Sequence, residues 1–382
     1  MTTHVFIVDE NTFKFHLEYQ FAGTGAKEKK VDFNNSKNSN LHHSTEAGLV
    51  AMMADGCRVR KNDLIVFYLQ ANSYYEGQFF GIFQAVDNGI FLDNFDKKQY
   101  LYKELTKSLT FRLRIKPYEV YSKGVTEWAA LDEIKNICSP YQMLWSLIYR
   151  KLKGNRGNTM ITIYEAERLI SLIRNANDNQ PLNHKNQSFT YNSDTNSIIA
   201  TDKNFSYTGR TEQINILPRL IQKYNFSRAH EIHLQMYITQ NIGLGTNKSL
   251  DNALGIVGKK LEWLGNEVSC GVGMQRIDIM FSVANSDTKR VLYPIELKAV
   301  PAHKNNTNQL TRYIDWIEQY YVPNRISIIQ PVLLCRKASQ LSNELKQSFK
   351  NFNARKGILP LKYIEYEVCD GNLIFNAVEY YK

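Results

Sequence analysis

A chain of 382 residues, 43% of them hydrophobic and 22% charged, is sized for two globular domains, each able to bury a core. No stretch approaches the roughly 20 consecutive apolar residues that span a bilayer, and the opening MTTHVFIVDENTF lacks the basic-then-apolar order of a secretory signal. A net charge of +10 favours a polyanionic partner, nucleic acid first among them.

Cysteine usage points the same way. Cys57, Cys138, Cys270, Cys335 and Cys369 lie far apart and never form a CxxC pair. That predicts reduced thiols in a cytoplasmic protein, not zinc ligands or a disulfide framework.

Residues 1–135 read as β-rich. HVFIVDE is a first strand, and strands follow within KNDLIVFYLQA (61–71), GQFFGIFQAVD (77–87) and LTFRLRIKPYEVY (109–121). Between the first two, HHSTEAGLVAMMADG (42–56) has Ser44 or Thr45 as a cap and apolar residues at helical spacing. From 136 to 175 the period is helical. Met143, Leu144, Leu147 and Ile148 share one face, and Ala166, Leu169, Ile170 and Ile173 another. The basic connector RKLKGNRGN separates these helices, and its Arg150, Lys151, Lys153 and Arg156 are either solvated charge or phosphate contacts. Residues 177–197 are polar and Asn-rich, which predicts a mobile linker or surface loop. From about 206 the pattern is helix, helix, strand, strand, helix, strand. Its clearest members are RAHEIHLQMYITQNIG (228–243), RIDIMFSV (276–283), RVLYPIELKAV (290–300), NQLTRYIDWIEQYYV (308–322) and ISIIQPVLLC (326–335).

One constellation in this last region carries chemistry. Ile277, Ile279, Phe281 and Val283 share a strand face and Asp278 lies on the other. Seventeen residues separate Asp278 from Glu296, enough to turn and return on a neighbouring strand about 5 Å away. Glu296 and Lys298 then project from the same face as one another. Two carboxylates can hold Mg²⁺ through hard oxygens. A bound cation polarises a phosphoryl oxygen and acidifies its water, and an ammonium orients that water and offsets the charge that develops. A lone ExK in a strand is most often a solvated face, so the motif counts only in this context. His230 and His233 are spaced like ligands on one helix. With no third His or Cys in sight, hydrogen-bonded or solvated histidines are the commoner case.

Asp278, seventeen residues, ExK and then QLTRYIDW resemble the PD-(D/E)xK nuclease superfamily, and MQRIDIMF, IELKAV and QLTRYIDW are similar in order to the archaeal-type mismatch endonucleases. The resemblance covers about 230–335. It implies a restriction-endonuclease-like α/β domain with a central mixed sheet. Asp278, Glu296 and Lys298 would be its catalytic set, with Gln309 near the site. Asp278 and Glu296 would hold Mg²⁺, which Mn²⁺ can replace, and Glu231 is the residue that best matches a further upstream ligand.

The strand and helix order of residues 1–135 resembles the PUA superfamily, particularly the EVE and YTH domains. This implies a β-barrel with helices that holds a flipped or modified base. Trp128, Tyr68, Tyr74, Tyr75, Phe79 and Phe80 are the aromatics from which a base site would be drawn, although aromatics in a small barrel are more often core. The expected whole is α+β and α/β, with a recognition domain at 1–135, a helical connector at 136–205 and a nuclease domain at 206–382. It is expected to cleave double-stranded DNA as a restriction-type enzyme and as a homodimer on DNA. A mismatch or repair nuclease, a binding module without turnover and an RNA-modification reader remain alternatives.

Overall fold

In a computed structural model, residues 1–25, 31, 46–94, 98–132, 137, 143–144, 146–147, 157–182, 188–203, 205–270, 275–284 and 290–380 are described. The chain divides into two compact units, Met1–Ile214 and Asn215–Lys382. Both are mixed α+β.

The first unit runs β1 (Thr3–Val8), α1 (Glu10–Glu18), β2 (Phe21–Thr24), α2 (Glu46–Cys57), β3 (Leu64–Leu69), β4 (Gln78–Ala85), β5 (Phe91–Leu92), α3 (Tyr102–Leu105), β6 (Phe111–Pro117) and β7 (Val125–Thr126). It continues with β8 (Asn158–Ile161), α4 (Ile163–Ala176), β9 (Ser188–Asn192) and β10 (Ser197–Thr201). A curled sheet takes the order β2-β6-β4-β3-β1-β8, with β5 added on β6 and β7 on β4. Among the described residues, only the β1–β3 pairing within it is parallel. The strands expected from alternation at 61–71, 77–87 and 109–121 are β3, β4 and β6, and the helix expected at 42–56 is α2.

Three differences from the sequence reading have physical causes. Helix α1 was not foreseen. It starts because the Asp9 carboxylate accepts from the Thr12 amide at 3.0 Å, and its ENTFKFHLE has only Phe13 and Leu17 as buried apolar side chains, beside buried Thr12, His16 and Glu18. The expected connector is built into the first unit. β8 pairs with β1, and α4, which starts with a Thr162–Glu165 capping box, buries Leu169, Ile170 and Ile173. The expected loop at 177–197 contains β9, which forms a hairpin with β10. Phe189, Tyr191 and Ile198 are its buried apolar residues, and Tyr191 packs 5.1 Å from the Phe13 ring. A few apolar side chains on one face are enough to hold a hairpin against a core, even in an Asn-rich stretch.

His16 gives this unit an acid sensitivity. Its ring lies 4.7 Å from that of Phe21, and its Nδ1 is 2.9 Å from the Phe21 carbonyl oxygen. Burial, which outweighs that hydrogen bond, lowers its pKa to about 3. The unfolded chain therefore binds the extra proton between about pH 6.5 and 3. The contribution is complete above pH 6.5 and is lost as pH falls through this window, at up to about 1.4 kcal/mol per pH unit. Amide exchange along β1 and β3 should show opening free energy falling less steeply with acid in His16→Asn than in the wild type. Equal slopes would mean that His16 is already protonated in the folded state.

The second unit runs α5 (Leu217–Asn225), α6 (Glu231–Asn241), α7 (Lys248–Leu254), β11 (Leu261–Ser269), β12 (Arg276–Ala284), β13 (Arg290–Lys298), α8 (Asn306–Trp316), β14 (Ile328–Ile329), β15 (Val332–Arg336), α9 (Asn343–Asn353), β16 (Lys362–Cys369) and β17 (Asn372–Ala377). Its mixed sheet has the order β11-β12-β13-β15-β16-β17, with β14 also beside β13. β13, β15 and β16 are parallel neighbours, and the outer pairings are antiparallel. The single strand expected at 326–335 is two, because Pro331 has no amide hydrogen to give to a ladder. α6 packs on β11, β12 and β13, and α8 on β13 and β15.

Candidate active site

The site grows from the β12–β13 register. Ile279 pairs with Ile295, so the next positions outward, Asp278 and Glu296, stand opposite one another. The Leu297 amide donates to Asp278 Oδ2 at 2.8 Å. Glu296 is almost fully buried, at 1% exposure, and the Tyr313 hydroxyl on α8 donates to its Oε2 at 2.7 Å. Its Oε1 makes no regular hydrogen bond and stands 2.5 Å from Lys298 Nζ in an ion pair. Lys298 Nζ is also 3.8 Å from Glu231 Oε1 at the start of α6. One turn along α6, Gln235 Nε2 donates to the Asp278 carbonyl at 2.8 Å. Asp278, Glu296, Lys298 and Glu231 thus meet in one place.

Charge is unbalanced there. Burial, and then the Glu296 charge, push the half-buried Asp278 carboxyl well above the usual carboxylate range. Burial opposes the Lys298 ammonium, but Glu296, Glu231 and Asp278 together hold it above its ordinary value. It stays a cation. Burial likewise raises Glu231, against the pull of Lys298 and the Ala299 amide. Burial and the two nearby carboxylates drive the Tyr313 hydroxyl upward, so it remains a proton donor to Glu296.

Two opposed carboxylates, one of them buried and ion-paired with Lys298, are a donor set suited to a hard divalent cation. Asp278 and Glu296 fit that role. Glu231 meets Lys298 instead, and no group of three His, Cys, Asp or Glu is gathered as a cage among the described residues. Gln309 is half-buried on α8, one turn before Tyr313. Tyr313 and Gln235 escaped the sequence reading. The spacing of four between Gln309 and Tyr313 puts both on one helix face, the signal by which Tyr313 could have been found. His230 is a structural residue, with Nδ1 at 2.8 Å from the Arg228 carbonyl and Nε2 at 2.8 Å from the Tyr366 hydroxyl.

In the first unit the aromatics separate by exposure. Phe79 and Phe80 are buried core, Tyr74 is 89% exposed and Trp128 is 59% exposed. Tyr68 is half-buried, and its hydroxyl donates to Glu127 Oε2 at 2.5 Å. Arg150, Lys151, Lys153 and Arg156 lie outside the described residues.

No family model matches the chain, and no curated protein does. Among solved structures, "Structure of Hypothetical protein from Leishmania major" is similar at 10% identity over 46% of this chain and 96% of its own, with a TM-score of 0.30. A likeness of that degree carries no argument about fold or function. No helix among the described residues is long and apolar enough to cross a membrane.

Proposed function

We propose that this chain is a Mg²⁺-dependent DNA endonuclease of the PD-(D/E)xK type, its second unit the cleavage domain and its first a PUA/EVE-like domain that selects the site by holding a base. The observation that carries this reading is the placing of Asp278 opposite Glu296 with Lys298 beside them. The net charge of +10 supports a nucleic-acid partner, and action on both strands favours a homodimer on DNA.

Each residue has a task in this reading. Asp278 and Glu296 hold the cation, which when bound polarises the phosphoryl group and acidifies water. Lys298, kept cationic by three carboxylates, orients the attacking water and offsets charge that develops on the phosphoryl oxygens. Tyr313 fixes Glu296 by donating to Oε2, and Gln235 fixes the Asp278 backbone. Gln309, one turn before Tyr313 on α8, is the further residue this reading assigns to the site.

The deciding experiment is incubation with methylated and unmethylated phage DNA in Mg²⁺, read on a gel. Discrete fragments from one substrate are expected, with Mn²⁺ able to replace Mg²⁺ and Ca²⁺ supporting binding without turnover, because its looser coordination positions water poorly. Cleavage undiminished in excess chelator, or no cleavage of any DNA, would remove the reading.

A further inference from the structure

The first unit contains a cavity of about 330 Å³, at the low end of the roughly 300–1,000 Å³ typical of small-ligand pockets. One planar ring system fits such a space. Its floor is a row across the sheet, in which Phe79 on β4 pairs with Tyr68 on β3, and Tyr68 with Ile7 on β1. Val5, two residues from Ile7, lies on the same face. These groups are mostly apolar, suited to the faces of an aromatic ring.

Against them stands a carboxylate. Glu127 lines the cavity, is only 8% exposed, and takes the Tyr68 hydroxyl on Oε2. Burial, and then the Glu76 charge, raise the Tyr68 pKa, so that hydroxyl stays a donor and fixes the carboxylate. An ionised carboxylate can only accept hydrogen bonds. Gln70, exposed and also lining the cavity, offers an amide with both a donor and an acceptor. The next residue after Glu127 is the exposed Trp128.

Resting on the reading that the first unit holds an extruded base, we infer that this cavity is the base pocket and that Glu127 selects a base bearing an exocyclic amino group. An amine N–H donates to the carboxylate. A keto oxygen in the same position, as on uracil or thymine, meets it lone pair to lone pair. The remaining edge of the base is left to Gln70, which can serve either a donor or an acceptor.

The test uses the full chain in chelator, where nothing is cut, and two short duplexes that differ in one central base. Deoxycytidine or deoxyuridine is placed opposite an abasic site, so that extrusion costs little in either. Competition binding should favour the cytidine duplex by about tenfold or more, the preference that a hydrogen bond to a charged group supports. In Glu127→Gln the side-chain amide can turn its oxygen or its nitrogen to the base, and the ratio should fall to about one. Equal wild-type affinities overturn the inference whatever the variant does. So does an unchanged ratio in a Glu127→Gln protein that melts like the wild type. An enzyme that cuts DNA but does not discriminate loses this inference alone, whereas binding of neither duplex removes the underlying reading as well.

Discussion

Lys298→Ala is expected, under the proposed function, to slow DNA cleavage by about two orders of magnitude or more, with DNA affinity within a few-fold of the wild type. The ammonium acts on the reacting phosphoryl group, and a single side chain among many phosphate contacts contributes little to affinity. The same substitution removes the 2.5 Å partner of the buried Glu296 Oε1, so the melting temperature in chelator should fall as well. Asp278→Asn separates these effects. It should be equally inactive, yet melt higher than the wild type in chelator, by about 1 kcal/mol of stability. The asparagine keeps an oxygen for the Leu297 amide and removes one of two opposed negative charges. Single-turnover cleavage, equilibrium binding and a thermal melt on both variants make the comparison. Lys298→Ala cutting at the wild-type rate would discard the catalytic assignment. An Asp278→Asn protein that melts lower would discard the repulsion.

Trp128→Ala is expected to reduce discrimination between preferred and non-preferred DNA while leaving the melting temperature nearly unchanged. Had Trp128 been core, truncation would cost about 3–5 kcal/mol. At 59% exposure it belongs with surface positions, where changes stay within about 0.5 kcal/mol. An exposed indole next in sequence to Glu127 can stack on a base or fill the gap a base leaves. Such a contact is worth on the order of 1–3 kcal/mol, which corresponds to a loss of preference of about fivefold to more than a hundredfold. A competition assay beside a melt reads both quantities. A large drop in melting temperature with selectivity unchanged would return Trp128 to a structural role.

Periodicity was enough to place the elements that carry the site, but not β11, α9, β16 and β17 of the same unit. The alternation in RIDIMFSV and RVLYPIELKAV put Asp278 on the strand face opposite Ile277 and set Glu296 and Lys298 together on one face of the next strand, and the helical spacing in QLTRYIDW marked α8. Such patterns are local, set by the pleat of a strand and the turn of a helix. The tertiary structure decided what depends on distant pairing. It put Asp278 opposite Glu296 through the β12–β13 register, and brought Tyr313, Gln235 and Glu231 to them from two helices. It also drew β8 onto β1 and turned the Asn-rich stretch into a hairpin, because Phe189 and Tyr191 had a core to enter. The Tyr68–Glu127 contact joins residues 59 apart. Two residues that distant meet only through tertiary folding, and no spacing along the chain encodes that approach.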